Sequence, residues 1–216
     1  MTFLAVALIL AISLPVAADV LRYSYHAGDQ YRLVDHVRET VAINGQYSHR
    51  SEILDRIAVT VNQVAADGMS ASHSAQFQTS ERAWGSQGSY AWEEDYDSEF
   101  VRDGQGHYTI DPSYWMPVVR DVPLFPDHSI SPGDTWSAPG YEIHDLRQSF
   151  GMPDPFRFPI TVSYQWLRSE KRDGIDCAVI GISYDVFYKT GGKPRTTNTY
   201  PTRVTGTSQQ TLWWDL

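Results

Sequence analysis

The chain has a single cysteine, Cys177, so no disulfide can form within it. The fold must be held by its core and its hydrogen bonds. Cys177 lies in the apolar run Cys177-Ala178-Val179-Ile180 and reads as a small core residue. Basic residues are few: 17 Lys and Arg stand against 26 Asp and Glu, for a net charge of −9. Phosphate-backbone contacts need clustered Lys and Arg, so nucleic acid is excluded as an expected partner. There is no Gly-x-Ser-x-Gly elbow. No glycine loop opens a helix, so phosphate cradling lacks its landmark too. Helical periodicity is scarce, and little helix is expected; one short helix near 145–150 is the exception considered.

Long apolar runs are also missing, apart from residues 3–14. That run is broken only by Ser13 and is followed by Pro15 and Val16-Ala17-Ala18. It is too short to span a bilayer, which takes about 20 residues. Small residues precede the expected cut, so 1–18 reads as a cleavable signal peptide, although no Lys or Arg precedes the run. Asp19 follows, not the cysteine that a lipoprotein would need. The expectation is an exported chain in which 19–216 forms a single β-rich domain.

Period-two alternation organises that domain. Ala71, His73, Ala75 and Phe77 share one strand face, and Ile57, Val59 and Val61 share another. Ile160, Val162, Tyr164 and Trp166 form a third, and 178–188 a fourth. Turn signals at Asn44-Gly45, Asp67-Gly68, Gly104-Gln105-Gly106, Asp173-Gly174 and Gly191-Gly192 separate the runs. The strands 32–43, 53–64 and 69–80 are expected to form a meander, with pairing delayed beyond Asn44-Gly45. The predicted fold is all-β and antiparallel: a curved open sheet, sandwich or half-barrel. Residues 111–159 hold nine of the twelve prolines. They are expected to be a long ordered crossing rather than a regular central sheet, with Tyr114, Trp115, Phe125 and Trp136 packed on a sheet face.

Candidate chemistry is sparse. Residues 93–103 concentrate six acids, and Asp95, Asp97 and Glu99 would line one strand face with Glu93. The spacing is not that of a calcium loop, and a solvated face is the plainer reading. Glu142, His144 and Asp145 are weak metal candidates, too few for a site unless His107, His128 or Asp134 joins them. Arg102-Asp103 and Arg120-Asp121 are candidate ligand contacts, or Arg–carboxylate forks that pin the crossing. Trp115 and Trp136 complete the candidate ligand-binding set. Tyr90, Trp92, Trp115, Trp166, Trp213 and Trp214 could line a cup for lipid or glycan. No cofactor is expected.

The runs YSYHAGDQYR (23–32), RDGQGHYTI (102–110), MPVVRDVPLFP (116–126), SPGDTWS (131–137), EIHD (142–145) and WWD (213–215) carry a family resemblance. The chain resembles the N-terminal region of OmpA-family proteins of spirochaetes of the treponeme type. The resemblance implies a signal peptide, a β-rich domain of unassigned activity, and then a peptidoglycan-binding OmpA-like domain. That last domain has no counterpart here, and the apolar ending at Trp213-Trp214 is read as a front part of a longer protein. The expected role is a non-enzymatic scaffold or adaptor in the periplasm, associated with the outer membrane. Its partners would be cell-envelope components, with peptidoglycan reached through the domain beyond this chain. A transmembrane barrel is not expected, since no strand shows a lipid-facing band with aromatic girdles. The alternatives are a β-cup for lipid or glycan, and a metal-dependent hydrolase built on Glu142, His144 and Asp145.

Overall fold

A computed structural model describes residues 18–43, 46–85, 87–114, 119–144, 153–189 and 203–216. The expected signal peptide, Trp115, Asp145 and the possible helix at 145–150 lie outside these residues.

Ten antiparallel strands form two five-stranded sheets, with no helix among the described residues. The first sheet is a plain meander of β1 (Gln30–Ile43), β2 (Gln46–Val64), β3 (Ser70–Ala83), β4 (Ala91–Asp103) and β5 (Tyr108–Ile110). The second runs in order from β6 (Val119–Arg120) through β7 (Thr135–His144), β8 (Phe156–Arg172) and β9 (Ile175–Lys189) to β10 (Arg203–Asp215). The fold is thus all-β, with one sheet curled into a half-barrel.

The alternation read from the residues places the core. Ala71, His73, Ala75 and Phe77 are all buried on β3, and Val59 and Phe100 pack beside them. On β8 and β9 the larger core takes in Ile160, Val162, Tyr164, Trp166, Ala178, Ile180, Ile182, Tyr184 and Val186, with Phe158 and Val179 also buried. Each buried Val, Ile or Phe among them contributes on the order of 1.5–3 kcal/mol when taken out of water. Cys177 is buried as expected.

Two expectations about strands need correction. Pairing of β1 with β2 begins at Ile43↔Gln46, directly across the two-residue connection, with no delay. The segment after it carries no apolar alternation, so only the ladder itself reveals it as strand. The proline-rich crossing also contains the ten residues of β7, including Pro139. The reason is local: β6 pairs only Glu142 and Tyr141, which leaves β7 an unpaired edge around Pro139, where a missing N–H costs least.

Of the crossing aromatics expected to pack on a sheet face, Phe125 and Trp136 do so against the second sheet, whereas the Tyr114 hydroxyl donates to Glu99 of the first. Phe125 is 2% exposed, and Trp136 stacks on Tyr164 at 5.0 Å while donating Nε1 to the Leu124 carbonyl at 2.9 Å.

Candidate functional site

The N-terminal strap, residues 19–29, runs between the two sheets and bonds to both. Asp19 and Ile130 exchange two backbone hydrogen bonds of 2.8 Å beside the second sheet. Tyr23 N–H donates to the Gly104 carbonyl at 2.8 Å, and Gly28 N–H to Val61 in the first sheet at 2.8 Å. Leu21 is buried in the larger core, and Tyr23 meets Phe125 and Trp214 edge-on or tilted.

Arg102 stands at the centre of this junction. It comes from β4, where alternation turns Arg102 inward while Val101 faces solvent. Its guanidinium lies 4.0 Å from the Tyr23 ring centre. It donates Nε to the Tyr25 hydroxyl at 3.1 Å, and its terminal nitrogens to Tyr31 at 3.0 Å and Tyr108 at 3.4 Å. Burial raises all four phenols, Tyr25 to about 12, so they stay neutral around the cation. No carboxylate is paired with Arg102 among the described residues. The expected Arg–carboxylate fork is therefore replaced by a phenol cage. Neighbouring residues of a strand point to opposite faces, so Arg102 and Asp103 cannot share a partner side.

Asp103 instead builds the turn after β4. One carboxylate oxygen accepts the N–H groups of Gln105, Gly106 and His107 at 2.8–2.9 Å, and the other lies 2.7 Å from His107 Nδ1. Burial opposes the Asp103 charge, but these bonds outweigh it and hold the carboxyl below its usual range. Arg120 is buried nearby, pushed down to about 10 by burial and by Arg157. Its neighbour Asp121 accepts the Tyr108 N–H at 2.7 Å, tying the crossing to the first sheet.

His73, fully buried, completes the junction. Its ring stacks on Phe100 at 4.8 Å and meets Tyr25 edge-on at 5.1 Å. Neither ring nitrogen has a hydrogen bond of ordinary geometry, and the Ala71 and Phe100 backbone only partly favours a proton. Burial, then the Arg102 charge, lowers the imidazole to about 4. A folded value below the unfolded 6.5 means that the unfolded chain takes up the proton first. Stability is then full above pH 6.5 and falls by up to about 3 kcal/mol as the pH drops towards 4. Thermal unfolding of the wild type and of His73→Phe at pH 7 and pH 5 should show a smaller acid loss in the variant. Equal losses would remove His73 from this role.

The other sequence candidates do not converge. Glu142 on β7 faces Phe158 in register; the His144 side chain and all of Asp145 are outside the description. His107 sits on Asp103 and His128 beside Asp127, while Asp134 caps Ser131 N–H at 2.8 Å. No group of three potential metal ligands occurs among the described residues. Asp95, Asp97 and Glu99 share the exposed face of β4, as the alternation implies. The aromatics split three ways instead of lining one cup. Trp166 is core, and Trp214 packs on Tyr23 and Phe125. Tyr90 and Trp92 lie outside under Arg82 and Arg56, and Trp213 under Arg172.

One surface was missed by the sequence reading. The outward face of the second sheet is hollowed into an open trough across β7 to β10, with adjoining basins of about 650 and 1080 Å³. Both basins are lined by Ser163, Ser183 and Gln209. The period-two reading had already placed Ser163 opposite the core; what it lacked was the register that lines up four strands. No family model matches the chain, and no curated protein or solved structure shows significant similarity to it.

Proposed function

We propose that this chain is a non-enzymatic domain of a bacterial cell envelope, exported to the periplasm and held at the outer membrane as the front part of an OmpA-type protein. Its role is that of a scaffold or adaptor beside a peptidoglycan-binding domain that lies beyond this chain. The observation that carries this reading is the junction. Arg102 gives its donors to phenols, Asp103 gives its carboxylate to a turn, and Asp121 caps a strand. Glu52 likewise sits between Arg38 at 3.2 Å and Arg82 at 2.6 Å, which lower its pKa. Arg102 fastens the strap to the first sheet, Asp121 ties the crossing to it, and the Glu52 pairs link β1 to β3 within it, so these charges serve as bracing, which supports a scaffold reading. The export motif and the family resemblance supply the location.

The test is expression of the full gene in a Gram-negative host, followed by fractionation and N-terminal sequencing. The expected product starts at Asp19 and is found in the envelope fraction. A product that keeps Met1 and stays in the cytoplasm would overturn the proposal. A second reading, binding of a glycan, is favoured by the neutral trough.

A further inference from the structure

The trough has an ordered chemical surface. Strand register places Ser137, Ser163, Ser183 and Gln209 in one row across four strands. The adjoining row is Thr135, Gln165, Gly181 and Thr211. Neighbours in a row lie about 4.8 Å apart, and rows on one face about 7 Å apart. Neither row contains a charge, although 20% of the chain is charged. Two ion pairs of β8 and β9 lie beyond it, Arg168 with Glu170 and Lys171 with Asp176, each at 2.8 Å. Asp185 is the one side chain in the lining that is charged at neutral pH. Apolar side chains flank the rows: Phe187 is 71% exposed and Leu167 is 45% exposed. Leu167 lies across Gly181, where an added Cβ would stand 3.4 Å from its Cδ1.

Each class of ligand can be weighed against this lining. An anion would meet no Lys or Arg, and a strong cation only Asp185. A lipid tail needs a continuous apolar wall, but of the lining side chains only Leu167 and Phe187 are large, apolar and exposed, and they are separated by the polar rows. A neutral sugar chain carries hydroxyls that both donate and accept, as the Ser and Thr hydroxyls and Gln amides do. Its rings also offer C–H faces for Phe187 and Leu167. We propose that the trough binds a neutral oligosaccharide strand, lying across the serine row and resting on Phe187. This rests on the second reading above, glycan binding, and names its site and the class of glycan.

The experiment is an NMR titration of the mature chain with chitotetraose, maltotetraose and, as an anionic control, polygalacturonate. At millimolar sugar, the amides of Ser137, Ser163, Ser183 and Gln209 should shift with one of the neutral sugars and not with the anion. Ser183→Glu, whose side chain is exposed, should weaken binding about tenfold or more with the spectrum otherwise retained. Gln209→Ala, a milder change, should weaken it less. Shifts confined to other surfaces, no shifts, or unchanged binding by Ser183→Glu would overturn the proposal. So would trough shifts that appear on concentrating the protein without sugar, since a second copy would then be the occupant. A negative titration with export intact sinks the trough alone and leaves the envelope role standing.

Discussion

Replacing Arg102 with methionine is expected to lower the unfolding temperature by roughly 6–12 °C, from a loss of about 3 kcal/mol. Methionine keeps much of the aliphatic stem but removes three hydrogen bonds to phenols and the charge over Tyr23. Removing a buried charge also removes its desolvation cost, so the loss is smaller than the sum of those contacts. Arg102→Lys should recover only part of it. A single ammonium cannot span the hydroxyls of Tyr25, Tyr31 and Tyr108 from one position. The same methionine variant should lose less stability in acid, because the Arg102 charge is one of the two causes that lower His73. Calorimetry at pH 7 and pH 5 reads both effects. A change below about 2 °C at neutral pH would mean that the cage is not a fastening.

A second large effect is expected from Gly106→Ala. Gly106 has a φ of +113°, a region open in practice to glycine alone. An added Cβ would stand 2.4 Å from the Pro123 carbonyl oxygen and 3.0 Å from a Tyr23 ring carbon. The first is backbone and belongs to the crossing, so the two sheets would have to separate. Strain and overlap together should cost about 4 kcal/mol or prevent folding. Gly133→Ala is the control. Its φ is +99°, with nothing within 4 Å of the added Cβ. It should cost only about 1–2 kcal/mol of backbone strain. Urea midpoints separate the two, and equal losses would show that close approach at Gly106 does not matter.

The strands β3, β8 and β9 were legible because one face of each is dry. Val162, Tyr164 and Trp166 announce β8 by alternation alone, and Ala71 to Phe77 announce β3. The two sheets were not legible as two, since alternation says which residues face inward but not against what. Arg102 was noticed as an Arg-Asp neighbour, and the obvious inference of a carboxylate fork failed. Its partners, Tyr23, Tyr25, Tyr31 and Tyr108, come from the strap, the first strand and the fifth, and no local pattern joins them. Asp103 carried a fairer signal, because an acid before Gly-Gln-Gly is a turn former. The trough was hidden for the opposite reason. Serine, threonine and glutamine at exposed strand positions look like ordinary solvated residues, and only register turns them into a row.

The strap has a consequence for how the chain assembles. Every ladder in either sheet joins strands that are neighbours in sequence, so each sheet can zip strand by strand. The strap does the reverse: Asp19 must find Ile130, and Tyr23 must find Trp214 near the other end of the chain. Contacts of such long separation close late, because the entropy of the intervening loop is lost before they contribute. Strand pairing is therefore expected to run ahead of closure of the strap. A chain cut back past the strap, to begin at Gln30, is expected to leave the apolar surface of Phe125 and Trp214 uncovered and to aggregate more readily than the longer chain, which light scattering on refolding would read.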